Sequence, residues 1–240
     1  MDDVDLSVFS ATRHGSFPLR GVLVRPEGEG PWPGVVLVHE IFGIDDVMRR
    51  HAERMARAGY LTLAIDLYSA GGAARCLVAT MRSLFSGVGR AYTDIETARQ
   101  WLAQREDCTT KVGIIGFCMG GGFALVSAST GFDAAAVNYG QLPKNAEETL
   151  ANACPIVASY GSRDRSLTNV AAKLDGVLSA AGVAHDVKEY EGVGHSFLND
   201  AAVGPRPLRP LLKIAGMGPQ PAAAADAWAR IEGFFAAHLG

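Results

Sequence analysis

Apolar residues along this chain fall into short continuous runs, separated by turn-rich segments and by longer stretches of helical period. The first buried run is Gly34 to His39, GVVLVH, entered from the turn-forming PEGEGPWPG. Uninterrupted runs of this length suit strands covered on both faces. Their alternation with helical stretches predicts an α/β fold with a mainly parallel sheet of about seven to eight strands and helices on both faces. A helix is expected near Asp46 to Ala58, where Val47, Met55 and Ala58 share a face while Arg49, Arg50 and Arg54 stay in water. Next come a strand at Leu61 to Ile65, a Gly-containing segment, and a helix from about Tyr92 to Gln104. The strand Lys111 to Phe117 runs straight into Cys118 and the small-residue helix GGGFALVSAS. Further strands are expected at Ala134 to Asn138, Ile156 to Tyr160 and Val183 to Tyr190, with a closing helix from about Ala222 to Leu239. Leu6 to Phe9 and Leu19 to Val24 read as an antiparallel edge pair. Gly204 to Pro221, with five prolines, reads as an irregular loop placed to fold over one side of a site. No repeat or linker divides the chain, so residues 1–240 are expected to form one domain.

The totals narrow the function classes. With 48% hydrophobic and 20% charged residues, 240 residues can bury a sizeable core. A formal charge of −3 gives no broad positive field for nucleic acid or an anionic membrane, which favours a small-molecule partner. The opening MDDVDLSVFS has no basic segment followed by an apolar one, and no apolar stretch is long enough for a membrane span, so a soluble, cytoplasmic protein is expected. Cys76, Cys108, Cys118 and Cys154 are too widely spread for a metal knuckle and are expected to be free thiols. Nothing resembles a zinc ligand set or a dinucleotide loop, so no metal or organic cofactor is expected.

The strongest local signal is Gly116-Phe117-Cys118-Met119-Gly120, which has the spacing of the Gly-x-Ser-x-Gly nucleophile elbow with sulfur in place of oxygen. A sharp strand-to-helix turn brings backbones close and needs small neighbours, which Gly116, Gly120, Gly121 and Gly122 supply. Free N–H groups at the following helix start can stabilise an oxyanion, and the amide of Met119 is the natural first donor. Taken alone, the pentapeptide is equally compatible with Cys118 as a buried small hydrophobe. Chain order tips the balance, because an elbow needs an acid and then a histidine on later loops. PIVASY ends in Gly161-Ser162-Arg163-Asp164, and VKEYEG is followed by Gly192-Val193-Gly194-His195. Asp164 could instead cap a following turn, and His195 could be an ordinary loop histidine. His14, His51, His185 and His238 lack such company and read as surface residues.

HEIFG at 39–43, DLY at 66–68, GFCMGG at 116–121, the Asp164 loop and GHSF at 194–197 together resemble the dienelactone hydrolase family, in the family's order. The resemblance implies the α/β-hydrolase fold and a Cys118, Asp164 and His195 triad. It also implies that Glu40 sits near the resting thiol, that the amides of Ile41 and Met119 form the oxyanion hole, and that His39 shapes the loop. A carboxylate beside a thiol disfavours thiolate, so Glu40 would keep Cys118 quiet until substrate displaced it and it took the thiol proton. The expected activity is cleavage of a small ester or lactone through an acyl-enzyme, with no cofactor. Family members that act on dienelactone hold its carboxylate with two arginines, and here those places read Ala70 and Asn199. Without a guanidinium at either place, a neutral or less anionic substrate is expected. Arg75, Arg163 and Arg165 are the alternatives for an incoming cation, and Leu84 and Phe85 for an apolar lining. Tyr68 and Phe197 are the aromatics placed to contact substrate. Acyl transfer or thioester cleavage on the same triad, or a non-catalytic ligand-binding scaffold, are the competing readings. A monomer and a homodimer are equally open.

Overall fold

A computed structural model describes residues 1–240. Eight strands form one sheet: β1 (Asp2–Asp5), β2 (Arg20–Val24), β3 (Trp32–Val38), β4 (Leu61–Asp66), β5 (Cys108–Phe117), β6 (Ala134–Asn138), β7 (Ile156–Gly161) and β8 (His185–Tyr190). Their order is β1-β2-β4-β3-β5-β6-β7-β8; the β1–β2 and β2–β4 pairs are antiparallel and the remaining pairs are parallel. The helices are α1 (Ser7–Ala11), α2 (Asp46–Arg57), α3 (Ala73–Ser86), α4 (Arg90–Ala103), α5 (Met119–Ser127), α6 (Ala146–Leu150), α7 (Val170–Ala181), α8 (Arg209–Ile214) and α9 (Pro221–Leu239).

The central strands are buried where their residues are apolar: Val35, Val36, Leu37 and Val38 of β3 and Ile114, Ile115 and Phe117 of β5 have no exposed surface. From β3 the chain steps outward to β4, then crosses back to β5 and continues through β6, β7 and β8 in the opposite direction. Right-handed crossovers in opposite directions put helices on opposite faces, and a crevice opens at the carboxyl ends of the strands flanking the reversal. Those strands are β3 and β5, so the loops at 39–43 and at Cys118 meet there. α2 starts cleanly because the Asp45 side chain accepts the Met48 N–H at 3.0 Å.

Three expectations change. The edge pair is β1 with β2, in the register Asp2 opposite Leu23, and Leu6 to Phe9 belongs to the turn leading through α1. Asp5 accepts the Ser7 N–H at 2.8 Å, which ends the strand and starts the helical turn. The segment between β4 and α4 holds a full helix, α3, bracketed by Gly72 and Gly87. Its glycines lie outside Ala73–Ser86, whose interior contains neither Gly nor Pro. The proline-rich stretch is also partly ordered, with a single 3₁₀ turn at Arg206–Leu208 leading into α8. No helix is long and apolar enough to cross a membrane.

Candidate active site

Cys118 stands between β5 and α5 with φ 55° and ψ −115°, a left-handed conformation that a side chain adopts only when its surroundings force it. The forcing is visible in the glycines. A Cβ on Gly116 would lie 2.0 Å from the Gly120 carbonyl oxygen, and one on Gly120 would lie 2.1 Å from that of Val38. β6 pins the turn from its other side, since Asn138 accepts the Cys118 N–H at 3.0 Å and donates its amide to the Gly116 carbonyl at 3.2 Å.

Asp164 follows β7 and His195 follows β8, and both loops end beside the elbow. His195 donates through Nδ1 to Asp164 Oδ2, and Cys118 is among the groups that raise the same ring. The other oxygen of Asp164 accepts the Ser166 backbone N–H at 3.0 Å and the Ser166 hydroxyl at 2.6 Å, so the carboxylate caps the turn and holds the imidazole at once. Burial favours the neutral carboxyl, but the bonds from His195 and Ser166 outweigh it and hold Asp164 below its ordinary range. Burial likewise disfavours the His195 cation, yet its bonds to Asp164 and Cys118 and the charges of both raise it to about 10. The amides of Ile41 and Met119 donate to no other group of the protein.

Glu40 lies deeper. It is 4% exposed, and its carboxyl is met by the Ser196 hydroxyl at 3.0 Å and the Asn199 amide at 3.3 and 3.2 Å. Burial raises its carboxyl above the ordinary range, against the His195 charge and these donors. His39 is fully buried; its Nδ1 meets the Glu40 carbonyl at 2.6 Å and its Nε2 accepts the Leu67 N–H at 3.1 Å, tying the β3 loop to the β4 loop. With its cation disfavoured by burial, the ring is neutral with the proton on Nδ1.

The expected substrate contacts change. Phe197 has no exposed surface and packs on Tyr139 and Tyr190, so it belongs to the core. Tyr68, 3% exposed, donates its hydroxyl to the Ile41 carbonyl at 3.0 Å and thus braces the oxyanion loop. Phe85 is 56% exposed and Leu84 packs toward Gly122, on the flank of α5. Arg163 and Arg165 point to solvent, and Ala70 shares with Arg75, Arg82 and Arg90 a cavity of about 440 Å³ that neither Cys118 nor His195 lines. The stretch after Val203 does lie against the site: Gly218 donates its N–H to the His195 carbonyl at 3.0 Å, and Gly204 sits on Phe42. Sequence reasoning missed two residues. Tyr139 packs at a tilt against His195 with centroids 4.9 Å apart, and His51, expected at the surface, is 4% exposed. His51 falls four residues from both Val47 and Met55 on the buried stripe of α2, and that spacing was the available signal.

The dienelactone hydrolase family model matches residues 19–239. The chain belongs to the dienelactone hydrolase family. Membership places it among hydrolases of the α/β-hydrolase superfamily that act on ester and lactone bonds. It is 27% identical over 199 residues to the carboxymethylenebutenolidase of Pseudomonas putida, covering 77% of this chain and 83% of the relative. Among solved structures, a dienelactone hydrolase-like promiscuous phosphotriesterase from metagenomic libraries superposes with a TM-score of 0.79 at 25% identity, covering 100% and 98% of the two chains. The dienelactone hydrolase of Anabaena variabilis superposes with a TM-score of 0.68 at 22% identity, again covering 100% and 98%, and shares the fold.

Proposed function

We propose that this dienelactone hydrolase family member cleaves small, uncharged esters or lactones through a covalent acyl-enzyme on Cys118. The Asp164–His195 pair, beside the strained Cys118 turn and two unengaged backbone amides, carries this reading. Cys118 sulfur attacks the carbonyl carbon with its proton held on His195, and the charge that develops on the carbonyl oxygen rests on the amides of Ile41 and Met119. Asp164 keeps the protonated ring oriented and compensates its charge. The carbon–oxygen bond then breaks, His195 returns the proton to the leaving oxygen, and in a lactone that oxygen stays attached to the acyl chain. Water deprotonated by His195 attacks the thioester, the acid departs, and the thiol is restored. Every proton is accounted for by one histidine, so no further group is needed.

Incubation with a panel of aryl acetates and small lactones tests the reading. Mass spectrometry is expected to find an acyl adduct on the Cys118 peptide, and Cys118→Ala to abolish both adduct and turnover. Turnover that survives Cys118→Ala, or a wild type with neither turnover nor adduct across the panel, overturns it.

A further inference from the structure

The cavity of about 440 Å³ beside Ala70 gathers three arginines: Arg75 and Arg82 from α3, seven residues apart and so two turns along one face, and Arg90, the first residue of α4. Gly87 and Gly89, at φ 72° and 125°, turn the chain between the two helices. A Cβ on Gly89 would lie 2.5 Å from Ser83 Oγ, so the start of α4 is held close against α3. Elsewhere arginines find carboxylates: Arg50, Arg54, Arg99, Arg105 and Arg230 meet theirs at 2.6 to 2.7 Å. Arg75, Arg82 and Arg90 are in no ion pair, although the chain carries 25 acids against 22 bases. They repel one another across the cavity, and an anion between them would relieve that repulsion.

The lining also holds an unengaged hydroxyl. Thr80 is only 5% exposed and faces this cavity, and its oxygen makes no hydrogen bond within the protein. A helical threonine commonly turns its hydroxyl back to a carbonyl of the preceding turn, as Thr97 does to Thr93 at 2.7 Å. The acid in the lining, Asp94, is 1% exposed, and its two oxygens are occupied by the Ser16 N–H and hydroxyl, each at 2.7 Å. The guanidiniums outnumber it. One wall, Leu67 to Gly71, belongs to the loop that braces the catalytic crevice through the Leu67–His39 and Tyr68–Ile41 bonds, yet neither Cys118 nor His195 reaches the cavity.

We propose that this cavity is a second ligand site, separate from the catalytic crevice, which binds a small phosphate monoester through Arg75, Arg82, Arg90 and the Thr80 hydroxyl. A single guanidinium fork already satisfies the two oxygens of a carboxylate. Three forks and a hydroxyl suit a phosphate monoester, which has three terminal oxygens and close to two negative charges at neutral pH. The cavity is larger than a phosphate alone needs and of a size that holds a small organic body as well. The proposal goes beyond the acyl-enzyme reading and does not depend on it.

Isothermal titration calorimetry in a zwitterionic buffer at fixed ionic strength tests the site, with glycerol 3-phosphate as probe. The wild type is expected to bind it with a Kd of about 1 mM or tighter, and to bind succinate at least about 10-fold more weakly. Arg82→Ala and Arg90→Ala should each weaken binding by about 10-fold or more, and Thr80→Val by about 3-fold. Cys118→Ala should bind as the wild type does. Without phosphate, kcat and KM on an aryl acetate should be unchanged in Arg82→Ala and Thr80→Val. Folding is checked by circular dichroism, and the exposed Arg82→Ala serves if Arg90→Ala does not fold. No binding at about 20 mM probe, wild-type affinity in Arg82→Ala, or succinate binding as tightly as the phosphate ester each overturns the proposal. So does competition with the aryl acetate that Arg82→Ala leaves untouched, which would put the phosphate on the oxyanion amides. Capture by phosphatidate-containing vesicles without binding of glycerol 3-phosphate would make the arginines a lipid contact and overturn it as well.

Discussion

At the scale of single residues, the site is a set of buried charges balanced against burial. His195 is the clearest case. Burial alone would favour the neutral ring, but Asp164 and Cys118 raise it from 6.5 to about 10. The folded protein therefore keeps a proton that the unfolded chain gives up above about 6.5. The resulting stabilisation is complete below that value, declines as the pH rises, and is gone above about 10. Urea unfolding should show the wild type losing its advantage over His195→Gln across that window; a difference that stays constant with pH would contradict the pairing. Asp164→Asn removes the anion that compensates the ring and is expected to cut kcat on an aryl ester by at least about 10²-fold, with the fold intact by circular dichroism. A kcat within a few-fold of wild type would remove Asp164 from the proposed machinery. The loops bearing Cys118, Asp164 and His195 were legible because each follows an apolar strand run. Asn199 and His51 were not, since they meet across 148 positions in sequence, with His51 Nε2 3.1 Å from the Asn199 carbonyl oxygen. No local pattern encodes such a pairing.

The elements succeed or fail with their punctuation. α2, α5 and α9 were legible from apolar spacing and from the residues that start them. α3 was obscured by flanking glycines that frame the helix from outside. The β1–β2 pair was displaced because Leu6, 1% exposed, looks like a strand residue while Asp5 has already turned the chain. The elbow between β5 and α5 is the least tolerant junction, since its glycines face backbone that cannot move aside. Gly120→Ala would push a methyl carbon to 2.1 Å from the Val38 oxygen, and a loss of about 3 kcal/mol or more in unfolding free energy is expected by urea titration. A loss within about 0.5 kcal/mol would mean that β3 and α5 can part. α2 carries a second, pH-dependent liability. Burial pulls His51 down from 6.5 to about 4, so its contribution is present above 6.5 and is lost as the pH falls toward 4. Over that range the wild type should lose stability more steeply than His51→Gln, and equal slopes would place the His51 ring in water.

At the scale of the whole molecule, the sheet order decides where chemistry can occur and what charge it can hold. The reversal between β3 and β5 gathers the loops carrying Glu40 and Cys118, and the later parallel strands bring Asp164 and His195 to the same edge. Cations do not follow. Arg50 and Arg54 are engaged by Asp200 and Glu232 at 2.6 and 2.7 Å, and Arg163 and Arg165 face solvent. Asn199 is spent on Glu40, and Ala70 opens toward a separate cavity. A substrate carboxylate near the elbow would thus meet the Glu40 region with no guanidinium to compensate it, and charge-assisted binding would be absent. Uncharged aryl acetates should therefore be turned over with kcat/KM at least about 10-fold above that for an anionic dienelactone, a difference of about 1.4 kcal/mol in transition-state binding. Raising the ionic strength should leave this ratio nearly unchanged, because no long-range attraction is there to screen. A preference for the anion, weakened by salt, would show that an arginine reaches the site from a direction this fold does not provide.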